Sequence, residues 1–375
     1  MITRFSFLIL RCCFIGTLLL ATGPARYCVA QQQSPARYNA TSPDNPGPFN
    51  AGFRNVTLTR GSRTLACVIY YPATSAGQNK PLDYSGRPYP MVAFGHGFGM
   101  QKSYYTSFYR HFASWGYIVI APQFPDYQNK EMAYDLLYCL QYLRDQHGTT
   151  GSFLYASVDT AHPGLTGHSM GGGASLLAAS YDSRILAVAP MAAAETSPSA
   201  IAAMPKIQGA VCLVAASKDG ITPPSTNQQP MYNAAHAFKS LPLFQGANHT
   251  RFMDYAGWDW TDPNGNMTRA EQQRLSRKYI TAVFNLFLKR DPDYWTYVYG
   301  TKAKSEPKVS LSFETKYEPP FDFRLISPLH GTVTVSIDLL WHRALTLNPS
   351  DTVKYIVQIS RNTAFSPVEF RVETY

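Results

Sequence analysis

The sequence has little charge and little cysteine for its length. Only 15% of its 375 residues are Asp, Glu, Lys or Arg, and six are cysteine. The basic residues are not clustered, and a clustered basic face is what nucleic-acid binding requires. The spacing C-x-x-C is also absent. These features argue against a disulfide scaffold, a cysteine-ligated metal site and a nucleic-acid partner.

Long apolar runs are confined to the first 30 residues. Arg4 and Arg11 precede an apolar run from Cys12 to Leu20, and Cys28-Val-Ala30 offers small residues for cleavage. This order is typical of a secretory signal peptide. We therefore expect residues 1–30 to be removed and the protein to be secreted to the extracellular space. No later stretch predicts a membrane span.

Loss of the signal peptide changes the charge and the cysteine count. The formal net charge of +9 includes three arginines of that segment, which has no acidic residue, so the mature charge is 9 − 3 = +6. This balance predicts a solvated cationic surface. Three cysteines remain, and an odd number cannot all pair within one chain. We expect at least one buried free thiol among Cys67, Cys139 and Cys212.

Apolar patterning divides the rest of the chain into regions. Residues 31–50 are rich in Gln, Ser, Pro and Asn and predict a flexible leader. Over residues 51–300, short apolar runs alternate with helical periodicity. This alternation predicts an α/β fold with a mostly parallel central sheet covered on both faces. Residues 301–320 predict a linker, because they hold many Lys, Glu and Pro.

Residues 321–375 have a purely strand-like pattern. Their alternation of inward and outward residues resembles the fibronectin type III-like modules of secreted bacterial enzymes. Such β-sandwiches run to about 100 residues. We therefore expect an incomplete C-terminal module and a chain that is a fragment of a longer protein.

The elements of residues 51–300 are predicted from continuous apolar runs and helical spacing. A capping box, Thr268-Arg-Ala-Glu271, predicts the start of the last helix. The other predicted helices are 104–115, one that includes Met132 and Leu143, 174–180 and 231–238. The predicted strands are 53–59, 64–71, 90–94, 117–121, 163–167, 185–189, 211–216 and 241–244.

One short run carries the strongest functional signal. Residues 167–173 read Gly-His-Ser-Met-Gly-Gly-Gly and contain G-x-S-x-G, the nucleophile elbow of serine hydrolases. A predicted strand precedes Ser169 and a predicted helix follows it, as the motif requires. Gly167 and Gly171 leave room where Cβ atoms would collide. We predict that Ser169 is a nucleophile; a glycine-rich turn with an incidental serine is the alternative.

A serine hydroxyl needs a neighbouring base, which is oriented by a carboxylate. In this architecture the chain order is Ser, then the acid, then His. His249 follows the last short strand, where a loop can reach back over the sheet edge, and is the predicted base. Three other histidines are disfavoured, because one lies in a predicted helix and two lie in the C-terminal module: His236, His330 and His342.

Asp219 is the predicted acid. It stands at the carboxyl end of the strand that closes at Ala216, before turn residues. A turn-capping aspartate is the alternative interpretation. Asp254 and Asp182 are weaker candidates, because the first follows the histidine and the second lies close to the elbow.

An oxyanion hole needs two backbone N–H groups. One is predicted from Met170, which follows the nucleophile, and the other from the loop after the third strand. That loop reads Gly95-His-Gly-Phe-Gly99, and we predict the N–H of Phe98 with its ring lining the pocket. A glycine loop that merely turns is the alternative.

Four segments resemble bacterial cutinases and poly(ethylene terephthalate) hydrolases, within the dienelactone-hydrolase-like α/β-hydrolases. The resemblance covers about residues 51–290 and implies an α/β-hydrolase fold. It also implies that Phe98 and Met170 supply the oxyanion N–H groups and flank the scissile ester. The segments are Gly-His-Ser169-Met-Gly-Gly, Ala189-Pro-Met, Ala215-Ala-Ser-Lys-Asp219-Gly-Ile-Thr-Pro and Gly246-Ala-Asn-His249.

Three departures from that family bear on the substrate. The chain has no cysteines for the usual C-terminal disulfide. Ala192-Ala-Ala194 stands where many members have a tryptophan that stacks on aromatic rings. Trp258 and Trp260 are candidate substitutes, although core or surface positions are equally open for them. Only about twenty residues separate Ala189 from Val211, too few for a large lid.

Together these features predict a secreted serine esterase of cutinase or polyester-hydrolase type. We expect a monomer that needs no cofactor and cleaves ester substrates, including polymeric ones, through an acyl-enzyme. Short-chain acyl esters, phospholipids and chlorophyll-type esters are alternative substrates. A non-catalytic adhesion or binding protein is the alternative from another class.

Overall fold

A computed structural model describes residues 41–315 and six strands outside that range. The chain divides into two compact units, one of residues 40–316 and one of residues 1–39 with 317–375. The six strands of the second unit are Phe5–Cys13, Gln31–Gln33, Leu325–Ser327, Leu340–His342, Thr352–Ser360 and Phe370–Thr374. The remainder of the predicted signal peptide and C-terminal module lies outside the described residues, and both stay predictions.

An 11-stranded sheet forms the centre of the unit of residues 40–316. Its predicted strands are all present, with bounds that differ by a few residues, and the predicted 211–216 is split in two. The strands are β1 (Asn50–Arg60), β2 (Arg63–Ala73), β3 (Gly77–Gln78), β4 (Tyr89–Gly95), β5 (Ile118–Gln123), β6 (Val158–Gly167), β7 (Ala187–Val188), β8 (Ala210–Cys212), β9 (Ala215–Ala216), β10 (Lys239–Phe244) and β11 (Val309–Glu314).

The sheet is mixed but mostly parallel, as predicted. Its order is β10, β8, β7, β6, β4, β5, β2, β1 and β3, with β9 and β11 also paired to β10. Strands β4 to β10 run parallel, whereas β1 and β2 form an antiparallel hairpin beside β5. All seven residues of β4 are buried, which explains why its sequence is apolar throughout rather than alternating.

Helices cover both faces of this sheet. On β4, Met91 and Ala93 belong to the apolar cluster that includes α2 and α3. Phe94 instead lies 5.0 Å, between ring centroids, from Tyr109 of α1. Successive strand residues point to opposite faces, so the two helix sets lie on opposite sides. The helices are α1 (Thr106–Ser114), α2 (Asn129–Gly148), α3 (Ser169–Tyr181), α4 (Ala200–Ala203), α5 (Gln228–Ala234), α6 (Arg269–Phe287), α7 (Trp295–Val298) and α8 (Thr301–Lys304).

The N-terminal segment is packed where a flexible leader was predicted. The Asp44 carboxylate lies 2.6 Å from Arg274 of α6, and Trp115 donates its indole N–H to the carbonyl of Asn45 at 2.8 Å. The carbonyl of Pro43 accepts from His111 Nε2 at 3.0 Å. Residues 41–49 therefore belong to the sheet unit, because their backbone groups find partners on α1.

The sheet unit also extends beyond the predicted boundary near Gly300. Strand β11, Val309–Glu314, pairs antiparallel with β10 and has alternating half-buried and exposed residues. An edge strand with one solvated face has many exposed residues, so its composition resembles that of a linker. The predicted helix 231–238 is replaced by α5, Gln228–Ala234, which begins and ends earlier. His236 therefore lies outside the helix.

Buried free thiols are found at Cys67, Cys139 and Cys212. Cys67 and Cys139 bring their sulfur atoms to 3.9 Å, between β2 and α2. Burial raises the pKa of the Cys212 thiol to about 12. These residues therefore act as small apolar core side chains, which confirms the expected free thiol.

His111 predicts an acid sensitivity of the fold. Burial lowers its pKa to about 3, far below the unfolded value of about 6.5. Between those values only the unfolded chain takes up the proton, so stability falls on acidification, by at most about 1.4 kcal/mol per pH unit. We expect urea unfolding to show a loss between pH 7 and pH 5 that is about 1–2 kcal/mol smaller in His111→Gln. Equal losses in the two proteins would contradict this assignment.

Candidate active site

The parallel strands bring the predicted site residues to one edge of the sheet. Gly95 and Gly167, the last residues of β4 and β6, are register partners at that edge. Ser169 follows β6, and the segment with Asp219 follows β9. The loop of His249 follows the parallel neighbour β10. The carboxyl ends of parallel strands meet at the same edge, which is where α/β folds bind their ligands.

Ser169 occupies a strained turn between β6 and α3. It is the first residue of α3 and has a φ of +57°, a left-handed conformation that is costly for a residue with a Cβ. Its N–H donates to the carbonyl of Met191 at 3.1 Å, and its carbonyl accepts from Ala194 at 2.9 Å. Neighbouring backbone thus holds the strained residue on both sides.

Three glycines make this turn sterically feasible. A Cβ at Gly167 would lie 2.7 Å from the carbonyl oxygens of Gly95 and Gly171. A Cβ at Gly171 would collide with the backbone of Gly95 and with the carbonyl oxygen of His96. The start of α3 therefore packs backbone to backbone against the ends of β4 and β6.

Asp219 and His249 form a buried pair. The Nδ1 of His249 donates to Asp219 Oδ2 at 2.8 Å, and the two side chains are 1% and 0% exposed. The opposite ring atom, Nε2, is buried and has no hydrogen-bond partner within the described residues. The imidazole is therefore fixed on one side and has a nitrogen available on the other.

The environment of Asp219 favours its ionised form. Burial acts to raise the pKa of this carboxyl, but hydrogen bonds from His249 and Thr222 outweigh it and lower the pKa. Backbone N–H groups of Ile221 and Thr222 donate to Oδ1 at 2.9 and 2.7 Å. The Thr222 hydroxyl donates to Oδ2 at 2.9 Å. Asp219 therefore also caps its own turn, so the alternative interpretation describes a real but additional role.

His168 packs beneath the site in a neutral state. Its ring centroid lies 4.5 Å from that of His249, and Tyr105 contacts its Nδ1 through the hydroxyl at 2.9 Å. Burial, with the neighbouring His249, holds the pKa of His168 well below its usual range. The Tyr105 hydroxyl also accepts the Gly97 N–H at 3.3 Å. Sequence reasoning missed this tyrosine, because helical spacing alone marks it as core.

The predicted oxyanion residues flank the elbow. Met170 is the second residue of α3, where a backbone N–H has no acceptor inside the helix. Phe98 lies in the loop after β4 with its side chain 56% exposed. A Cβ at the preceding Gly97 would lie 3.2 Å from the Ser169 Cβ. The loop backbone thus passes directly over the serine.

The alternative acids and base lie elsewhere. Asp254 accepts hydrogen bonds from the backbone and hydroxyl of Ser107, and Asp182 pairs with Arg184. His236 is exposed. His330 and the side chain of His342 lie outside the described residues.

Aromatic side chains border the site on the side of the Phe98 loop. The rings of Phe98 and Tyr127 lie 4.5 Å apart between centroids. Trp258 packs on the same loop, because a Cβ at Gly99 would lie 3.4 Å from its ring. Trp260 is 78% exposed, whereas Ala192, the first residue of the Ala192–Ala194 stretch, is fully buried with a φ of +44°.

Within residues 41–315 no group of three or more His, Cys, Asp and Glu side chains is arranged to hold a metal ion. The same part of the chain has no helix with the length and hydropathy of a membrane span.

Comparison with known proteins identifies the family. The model of a family described as PET hydrolase-like (PETase) matches residues 27–313. The chain belongs to the PET hydrolase-like family. It is accordingly an ester hydrolase with an α/β-hydrolase fold, and the family and fold predicted from the sequence are confirmed. No curated protein matches it.

The close packing around Gly171 in this PET hydrolase-like chain predicts that one added methyl group strongly destabilises the fold. Gly171→Ala places a Cβ against the backbone of β4, where no side chain can yield. We expect a loss of more than about 4 kcal/mol in the free energy of unfolding, or no folded protein. Unfolding in guanidinium chloride measures this change in the free energy of unfolding.

The matched control is Gly148→Ala at the end of α2, where a Cβ meets nothing within 4 Å. It should be neutral or stabilise the protein by up to about 1 kcal/mol. A fully stable Gly171→Ala protein would contradict the described elbow.

Proposed function

We propose that this chain is a secreted serine esterase of the cutinase or polyester-hydrolase type. The observation that carries the proposal is a buried Asp219–His249 pair at the same sheet edge as Ser169, which lies on a strained strand-to-helix turn. A serine, an acid and a histidine, in that chain order, are the working parts of serine hydrolases on this fold. Membership of the PET hydrolase-like family supports the same reaction class.

Each residue of the proposed triad has one task. The Ser169 hydroxyl attacks the ester carbonyl, and Nε2 of His249 takes up the hydroxyl proton as the tetrahedral intermediate forms. The imidazolium then protonates the leaving alcohol, which departs and leaves an acyl-enzyme. Water, deprotonated by His249, releases the acid. Asp219 holds the imidazole with its proton on Nδ1 and stabilises the imidazolium charge.

The oxyanion of the intermediate is bound by backbone N–H groups in this proposal. Met170 supplies one from the start of α3, where the helix dipole also favours negative charge. Phe98 supplies the second from the loop that crosses over Ser169. Removal of one such donor typically lowers the rate by about 10²–10³.

The surroundings of the serine favour bulky esters as substrates. Exposed apolar side chains lie in the loops that carry the site residues, among them Phe98 at 56% and Ile221 at 45%. Between β7 and β8 the chain has the four-residue helix α4 and a short 3-10 turn, too little for a large lid. A polymer chain can therefore lie across the site. We also propose secretion, from the N-terminal signal sequence, and a monomeric state.

Ser169→Ala tests the catalytic proposal. We expect kcat/KM for p-nitrophenyl butyrate to fall by about 10⁴–10⁶, because nothing else supplies the nucleophile. The matched control is Ser183→Ala, an exposed serine just beyond the far end of α3, which should keep wild-type activity. Equal activity of Ser169→Ala and wild type would refute the triad and favour a non-catalytic binding protein.

Trp258→Ala tests the polyester substrate. In this proposal the rings of Phe98 and Trp258 stack on the terephthalate rings of the polymer. Such stacking contributes about 0.5–1.5 kcal/mol beyond the burial of apolar surface. We expect terephthalate release from an amorphous film to fall about 3- to 10-fold, with p-nitrophenyl butyrate turnover little changed.

The control for this test is Tyr155→Ala. Tyr155 is 48% exposed and precedes β6, at the opposite edge of the sheet. It should leave film hydrolysis unchanged. Wild-type enzyme that turns over the small ester but releases no terephthalate would remove the polyester assignment and leave the esterase assignment in place.

A further inference from the structure

A buried carboxylate outside the proposed triad touches both loops that carry the acid and the base. Asp262 closes the short 3-10 helix Asp259–Thr261 and is 2% exposed. Its Oδ2 accepts the backbone N–H of His249 at 2.7 Å, and its Oδ1 accepts the backbone N–H of Gly220 at 3.2 Å. Gly220 directly follows Asp219, so one carboxylate holds the backbone beside both members of the pair.

Backbone hydrogen bonds satisfy the carboxylate of Asp262. Within the described part of the chain, no lysine or arginine forms an ion pair with Asp262. A buried ionised carboxylate without a cation is costly unless hydrogen bonds satisfy it. Charge-assisted bonds from backbone N–H groups are stronger than neutral ones. The stability of Asp262 in this place therefore depends on the same two N–H groups that it positions.

Asp262 is itself held in place. Its N–H donates to the Asp259 carbonyl at 3.3 Å, and its own carbonyl accepts from Asn248 Nδ2 at 2.5 Å. Asn248 is further tied to Gln272 of α6, which accepts its N–H at 3.1 Å and donates to its carbonyl at 2.6 Å. The histidine loop is thus anchored through Asp262 on one side and through α6 on the other.

We propose that Asp262 is a positioning residue for the reaction, which sets the separation of the Asp219 and His249 loops. This inference rests on the proposed function. At 2% exposure the carboxylate is shielded from a bound substrate, and it acts through the backbone N–H groups of Gly220 and His249. A hydrogen-bonded acid and base must keep sub-ångström geometry, and a displacement of about 1 Å costs about 10²-fold in rate.

Asp262→Asn is the principal test. The side-chain amide keeps the size of the carboxylate but has one acceptor oxygen, so its NH₂ group faces one of the two backbone N–H donors. We expect kcat for p-nitrophenyl butyrate to fall about 10- to 100-fold. KM should stay within about twofold, because Asp262 does not touch the substrate.

Gly220→Ala provides a second variant that keeps the carboxylate. An added Cβ would lie 3.1 Å from Asp262 Oδ1, which is tight and pushes the two groups apart. We expect a several-fold fall in kcat with KM again unchanged. This variant decides the question if Asp262→Asn does not fold.

The matched control is Asp259→Asn on the same turn. Asp259 pairs with Arg269 at 2.5 Å, and its side chain is 33% exposed. It has no bond to Gly220 or His249 among the described contacts. Loss of the Asp259–Arg269 ion pair perturbs the turn and leaves the contacts of Asp262 with the Asp219 and His249 loops in place. A general weakening of this segment would therefore lower kcat in Asp259→Asn as well, and our expectation is kcat within about twofold of wild type.

The outcomes separate this inference from the proposed function. Activity in Ser169→Ala would remove the proposed function. An inactive Ser169→Ala with wild-type kcat in folded Asp262→Asn, or in Gly220→Ala if Asp262→Asn does not fold, would overturn only the role of Asp262. A rise in KM at unchanged kcat would also overturn it, because it would indicate substrate contact. Equal losses in Asp262→Asn and Asp259→Asn would reduce Asp262 to a stabilising residue.

Discussion

Close backbone packing at the ends of β4 and β6 is the constraint on which the site depends. Gly95, Gly167 and Gly171 leave no room for a Cβ, so the first turn of α3 lies directly on the sheet edge. This contact forces Ser169 into a left-handed turn and carries the Phe98 loop across it. The strain is held by hydrogen bonds to Met191 and Ala194, and not by the serine side chain.

The Asp219–His249 pair depends on a second requirement, which is that buried polar groups be satisfied. Asp219 is buried and ionised because Ile221, Thr222 and His249 all donate to it. Asp262 extends the same principle to the backbone on both sides of the pair. Rigid placement of the imidazole, with one nitrogen bound and the other available, follows from these bonds. The aromatic border at Phe98 and Trp258 is a separate feature, on which the proposed choice of substrate rests.

Much of the fold was predictable, because buried parallel strands are continuous apolar runs and helices repeat at their own period. The strands around Phe94 and Ile120 and the capped helix after Thr268 were found for that reason. The composition around Val309–Glu314 predicts a linker, but the segment is an edge strand in which half of the residues face solvent. The composition around Pro43 predicts a flexible leader, but the backbone carbonyl of Pro43 accepts a hydrogen bond from His111, a contact that composition does not record.

The family, the α/β fold and the candidate residues Ser169, Asp219 and His249 follow from sequence alone, because a local motif and chain order carry that information. The buried groups that support these residues become apparent only in the folded chain. Thr222, Tyr105 and Asp262 lie at ordinary positions in the sequence. Asp262 is 43 residues from Asp219 along the chain, yet it bonds to the next residue. Such contacts arise when strands that are distant in sequence end at one sheet edge, and no local pattern records them.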